Sequence, residues 1–276
     1  MKARPIIATV FPFDLFGHAG TGNGARLLAD MLYELLEDSL AETQPTRSEA
    51  IAKRLEIHEC PFETLSELND WLKTGRLFAE RSLKKSQFSL WLSGNHLGVM
   101  PLFEKLGPDT LVLQFDAHLD CYDLDSTHKT LSHGNWLLHC KKLAPKIIAI
   151  GHRDLFVTKK QRESVFQACY PVEMIAESLE SCLEAIKLQT DSAARVWIDL
   201  DLDVLDPAFA PGVSTPLPFG LTPQQLLRII FGIWSHKIVG MSLSEFDPGR
   251  DQRDQTLELV GWLIERLLLR VVEPEV

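Results

Sequence analysis

The chain has 276 residues, 45% of them apolar, and a formal net charge of -10. That length and apolar content suffice for a large buried core, read as one α/β domain over residues 1–276. The acidic balance excludes a nucleic-acid surface, which needs a basic patch to release counterions, and the lack of roughly 18 consecutive uncharged apolar residues or a signal-peptide layout predicts a cytoplasmic chain with no membrane partner.

In chain order, a strand-length apolar run at residues 5–10 is followed by segments of helical period at 25–40 and 64–77. Further strand-like runs lie at 88–92, 111–115 and 147–150, a less regular helical segment at 165–186, a strand at 196–202, a helix at 223–234, a strand at 238–243 and a helix at 255–269. Most of the strand-like runs lack polar alternation, as expected of strands buried on both faces. Repeated β-then-α order predicts a three-layer α/β/α fold with a mainly parallel sheet and right-handed crossovers. Pro207, Pro211, Pro216 and Pro218, with Gly212 and Gly220, mark a long ordered loop rather than a domain boundary. Cys60, Cys121, Cys140, Cys169 and Cys182 contain no C-x-x-C pair and are read as reduced.

Two acidic clusters end strand-like runs, where open α/β sheets bind ligands. Asp116-Ala117-His118-Leu119-Asp120 follows 111–115, and in an extended segment its three polar side chains share one face while Ala117 and Leu119 point away. By itself D-x-H-x-D is as readily a polar loop as a ligand set. Asp199, Asp201 and Asp203 likewise share a face in extended backbone, roughly 7 Å apart. Two such charges near 4 Å repel by roughly 4 kcal/mol at an effective dielectric of about 20, so either a cation neutralises them or their pKa values rise. An EF-hand loop does not fit: its sixth and twelfth positions, counted from Asp199, are Val204 and Ala210 rather than Gly and Glu. His96, in Ser93-Gly94-Asn95-His96 after the strand at 88–92, sits on the same rim.

With these residues assembled, most of the chain resembles the ureohydrolases, the family of arginase, agmatinase and formimidoylglutamase. Ser93 to His96 is similar to the family's G-G-D-H, Asp116 to Asp120 matches D-A-H-x-D without change, and Asp199 to Pro207 is similar to S-x-D-x-D-x-x-D-P, continued by Ala210-Pro211-Gly212. The resemblance implies an arginase-like fold and two Mn2+ per chain. His96, Asp116, Asp120 and Asp201 would hold one ion, and His118, Asp116, Asp201 and Asp203 the other. Four carboxylates facing two dications are formally neutral, and the oxygen-rich set suits manganese better than zinc.

The resemblance also implies a role for His133, in Ser132-His133-Gly134, in moving protons or orienting substrate, and for Glu245 in binding a guanidinium group. Gly151-His152-Arg153-Asp154 is similar to the family's G-x-R-D. Asn95, Leu97 and Asp199 depart from the family pattern beside the ligands, where changes tune orientation and affinity. Tyr122 and Lys129 stand where arginase carries the asparagine and serine that hold the amino acid end of its substrate, so arginine is not the expected substrate; Tyr122, Lys129 and Asp154 are the candidate contacts to another tail.

The implied activity is hydrolysis of a carbon-nitrogen bond in a small guanidino or formimino molecule, releasing urea or formamide. Water activated between the ions would attack the central carbon, with Asp203 or Asp201 accepting a proton and His133 serving the leaving amine. A homo-oligomer is also implied. Two alternatives stand beside it: a mononuclear zinc amidohydrolase of the deacetylase type, which has no need of His96 and Asp120, and a non-catalytic binding protein on the same fold.

Overall fold

The protein is described from a computed structural model, which covers residues 4–44, 46–62, 64–84, 86–123, 130–140 and 145–273. Its strands are β1 (Ile6–Phe11), β2 (Leu55–Glu59), β3 (Phe88–Ser93), β4 (Thr110–Phe115), β5 (Lys146–Ile150), β6 (Ala168–Tyr170), β7 (Arg195–Asp201) and β8 (Ile238–Ser244). They form one sheet in the order β2-β1-β3-β8-β7-β4-β5-β6, and every pairing is parallel. The four central strands β3, β8, β7 and β4 therefore present their carboxyl ends side by side, and both acidic clusters emerge there.

Alternate strand residues feed two apolar layers. Ile6, Leu90, Leu113 and Ile198 pack with Leu28 and Leu32 of the helix Thr21–Ala41 and with Val260, Ile264 and Leu268 of Gln255–Val272. Phe11, Trp91, Val112 and Trp197 pack with Trp71 and Ala79 of Trp71–Ser82 and with Met100 and Phe103 of Met100–Leu106. Burying a parallel sheet on both faces explains why its inner strands read as unbroken apolar runs.

The expected α/β/α layering holds, while three boundaries differ. The helix expected at 165–186 is instead the end of Lys159–Val165, then β6, then Val172–Glu177 and Leu179–Ser192. Pro171 is responsible, because its ring holds Tyr170 extended and it has no N–H for a continuing helix. The segment at 64–77 is divided at Asp70 into Leu65–Asn69, started by a Thr64–Glu67 capping box, and Trp71–Ser82. Edge strands β2 and β6 had no apolar run to announce them, being short and only partly buried. All five cysteines are free, and among the described residues no helix is long and apolar enough to cross a membrane.

Candidate metal centre

The first component enters from β3. Gly94 passes so close to β1's extension that a Cβ there would lie 2.3 Å from the Phe13 carbonyl oxygen, so only glycine lets this turn form. Asn95 then donates to the Leu15 carbonyl at 3.0 Å, and the 3-10 turn His96–Val99 drives the His96 ring into the interior, where it is 1% exposed.

The second component is a loop rather than the continued strand expected from alternation, since β4 stops at Phe115. Asp120 has a left-handed φ of 46°, which turns its carboxylate back toward His96, and the Trp136 indole donates to it at 2.8 Å. Ala117 and Leu119 do point into the core. Ala117 N donates to Asp203 Oδ1 at 3.1 Å, tying the two clusters together.

The third component also departs from a straight strand. β7 ends at Asp201, and the 3-10 turn Leu202–Val204 brings Asp203 round, with its N–H donating to Asp201 Oδ1 at 3.0 Å. Asp199 and Asp201 share one face of β7 as alternation requires, and only Asp203 leaves the row. Asp199 lies behind His96, with Oδ2 2.9 Å from Nε2.

These turns bring the six predicted ligands together. His96 Nδ1 is 2.9 Å from Asp120 Oδ2 and 3.2 Å from both Asp116 Oδ2 and Asp201 Oδ2, yet it is buried with no aligned hydrogen bond among the described residues. His118 Nδ1 is 2.8 Å from Asp203 Oδ2 and 3.8 Å from Asp116 Oδ1. Two clusters result, His96–Asp116–Asp120 and Asp116–His118–Asp203, each with donor atoms within 4.8 Å of one another and with Asp116 common to both.

The electrostatics of the protein alone call for positive charge. Burial, followed by the Asp120 and Asp203 charges, pushes Asp116 up to about 7. Burial and the charges of Asp203 and Asp116 hold Asp201 well above the ordinary carboxylate range. Burial opposes a charged His118, but Asp203 overrides it and lifts the ring to about 10. Burial likewise opposes a charged His96, but Asp199, Asp116 and Asp120 override it and raise its pKa well above the ordinary value, so Nδ1 sits among oxygens that favour positive charge there, and a divalent cation fits that donor set in place of the proton.

Beside this lies a second polar group. Glu245 follows β8 at a left-handed φ of 66°, with its N–H on the Gly94 carbonyl at 2.8 Å and its Oε1 accepting from His96 N at 2.8 Å. His133 Nδ1 lies 3.8 Å from Oε1 and His18 Nδ1 3.6 Å from Oε2. Burial works against ionised Glu245, but the two histidines outweigh it and bring the carboxyl down to about 2. His18 meets the His133 ring edge-to-face at 4.4 Å and Thr215 Oγ1 at 3.1 Å. Sequence reasoning did not single out His18 or Thr215; the one available signal was a histidine in the loop after β1, on the carboxyl rim.

Both groups open into a cavity of about 890 Å³ that Tyr122 and Asp154 also line. Tyr122 donates its hydroxyl to Asp154, whose other oxygen accepts from Phe156 N at 2.6 Å, so these two candidate contacts brace each other. The Arg153 guanidinium is committed to backbone carbonyls, at 2.8 Å to Asp203 and 2.7 Å to Leu217. Leu155 and Phe156, 93% and 76% exposed, form an apolar lip. Lys129 lies outside the described residues.

The model of the arginase family matches residues 5–269. The agmatinase of Neisseria meningitidis serogroup C (strain 053442) is 30% identical over 219 residues, covering 75% of this chain and 67% of that protein. A hypothetical agmatinase from Burkholderia thailandensis superposes with a TM-score of 0.78 at 23% identity, covering 98% of this chain and 86% of that one. Arginase from Bacillus subtilis gives 0.75 at 22% identity, covering 96% and 98%. At these identities the two structures speak to the fold.

Proposed function

The chain belongs to the arginase family, and from that premise we propose that it is a ureohydrolase that uses two Mn2+ to cleave a carbon-nitrogen bond of a guanidino or formimino small molecule. Family membership itself makes it a hydrolase of guanidino compounds, and it favours neither the mononuclear amidohydrolase nor the non-catalytic alternative. The observation that carries the two-metal reading is the buried His96 Nδ1 among three carboxylate oxygens, with a second histidine-carboxylate cluster sharing Asp116.

His96, Asp116, Asp120 and Asp201 would hold one ion, and His118, Asp116, Asp201 and Asp203 the other. When bound, the ions supply acidity to water at neutral pH and polarise the reacting centre. Glu245, kept ionised by its histidines, is suited to receive a planar guanidinium and fix the central carbon over the cluster. His133, its pKa raised by Glu245 and Asp120 against the effect of burial, is placed to give a proton to the leaving amine. Leu155 and Phe156 favour an apolar linker in the substrate over the zwitterionic end of an amino acid.

The test is a panel of guanidino and formimino compounds incubated with the Mn2+-loaded protein, assayed for urea and formamide. Manganese-dependent release from at least one member is expected. Failure with the whole panel would sink the proposal.

A further inference from the structure

We infer that Asp199 is the positioning residue for His96, and that Asp199, Ser242 and Trp197 form a buried relay that turns the His96 Nδ1 lone pair toward the cation site. The inference rests on the metal-centre reading above and adds a residue outside the ligand set.

Among the described residues His96 Nε2 has one hydrogen-bond partner, Asp199 Oδ2 at 2.9 Å, and both residues are almost wholly buried, at 1% and 0% exposure. A carboxylate only accepts, so Nε2 must carry the proton, and in a neutral ring Nδ1 is then a lone pair. Nδ1 is the atom surrounded by Asp116, Asp120 and Asp201, so it is the nitrogen turned toward the cation site. Oδ1 of Asp199 is taken by the Ser242 hydroxyl, and Ser242 Oγ accepts from Trp197 Nε1 at 2.9 Å. Both Asp199 oxygens are therefore held, and the carboxylate cannot rotate away from the ring.

A carboxylate hydrogen-bonded to the far nitrogen of a ligating histidine fixes its tautomer and orientation and raises its basicity. The sequence here differs from the family's serine at this position. Asp199 adds a buried carboxylate to the four candidate ligand carboxylates, a concentration of negative charge that a cation at the site would offset. The sheet also provides a control: Asp199 and Ser242 are register partners on β7 and β8. Exchanging them moves the carboxylate to the adjacent strand while keeping it within the same hydrogen-bonded pair.

Isothermal titration with Mn2+ on the parent, Asp199→Asn and the exchange variant Asp199→Ser/Ser242→Asp tests this. Asp199→Asn should weaken one of two Mn2+ sites by about 10- to 100-fold and leave the other within a few-fold. The exchange should restore much of the loss. Nitrogen chemical shifts of labelled histidine should show His96 protonated at Nε2 in the parent, with that signature perturbed in Asp199→Asn. Unchanged affinity at both sites in Asp199→Asn would overturn the inference while leaving the metal centre standing, as would equal weakening of both sites with no recovery on exchange. If Asp199→Asn does not fold, the exchange variant carries the test: parent-like affinity supports the inference, and a lasting loss at both sites rejects it. A parent that takes up no Mn2+ would reject the metal centre itself, and the inference with it.

Discussion

Glu245 and Asp201 are both buried carboxylates on the carboxyl rim, but their surroundings give them different work. Asp201 faces His96 and shares its neighbourhood with Asp116 and Asp203, whereas Glu245 is ringed by His18, His133 and the His96 backbone N–H. Asp201→Asn should therefore strip most of the manganese, measured by elemental analysis of the dialysed protein. Glu245→Gln should keep its metal and lose about 100-fold or more in kcat/KM, because it removes the charge opposite the guanidinium. Equal metal content in the two variants would contradict the division. The candidate ligands were legible because D-x-H-x-D and D-x-D keep a two-residue rhythm that survives in the sequence. The rhythm misled about geometry: convergence comes from the left-handed backbone at Asp120 and the 3-10 turn at Leu202–Val204, not from strand alternation. His18 and Thr215 were illegible because they meet Glu245's surroundings from loops far apart in the chain, with no spacing to connect them.

Elements matter here chiefly through β8 and β7, which carry Ser242 and Asp199 in register. Gly240 is the point of closest approach: a Cβ there would lie 2.4 Å from the Ser89 carbonyl on β3 and 2.4 Å from the Trp197 ring on β7. Backbone on one side cannot yield, so the indole must move, and its Nε1 bond to Ser242 moves with it. Gly240→Ala should cost about 1–3 kcal/mol from overpacking, read as a lower denaturant midpoint, and should also weaken Mn2+ binding. Parent-like stability would show that the strands separate more easily than this packing implies. The central strands were readable in sequence because burial on both faces leaves continuous apolar runs. β2 and β6 were not, since an edge strand pairs along one side only and retains exposed residues, and β6 was further hidden because the genuine helical rhythm of Val172–Glu177 and Leu179–Ser192 ran on across it.

For the molecule as a whole, the response to acid combines the buried carboxylates of the rim with a histidine away from the proposed ligands. His152 follows β5, is 3% exposed, and has no hydrogen bond at either ring nitrogen among the described residues. Burial, reinforced by Arg162 and only partly offset by Asp154 and Glu173, lowers its pKa to about 4. An unfolded chain would bind its proton near 6.5, so between those values the unfolded state holds more protons and stability rises with pH. The contribution is complete above about pH 6.5 and is lost on acidification toward 4, below which both states are protonated. From pH 7 to pH 5 this amounts to about 2 kcal/mol. Chemical denaturation in a chelator at these two pH values, so that cation release does not enter, should show His152→Asn losing about 2 kcal/mol less than the parent. Identical losses would mean that the His152 ring finds water or a partner when protonated; Asp116 and Asp201 cannot supply the loss, because carboxyls held above their ordinary range take up protons in the folded state first and stabilise it on acidification.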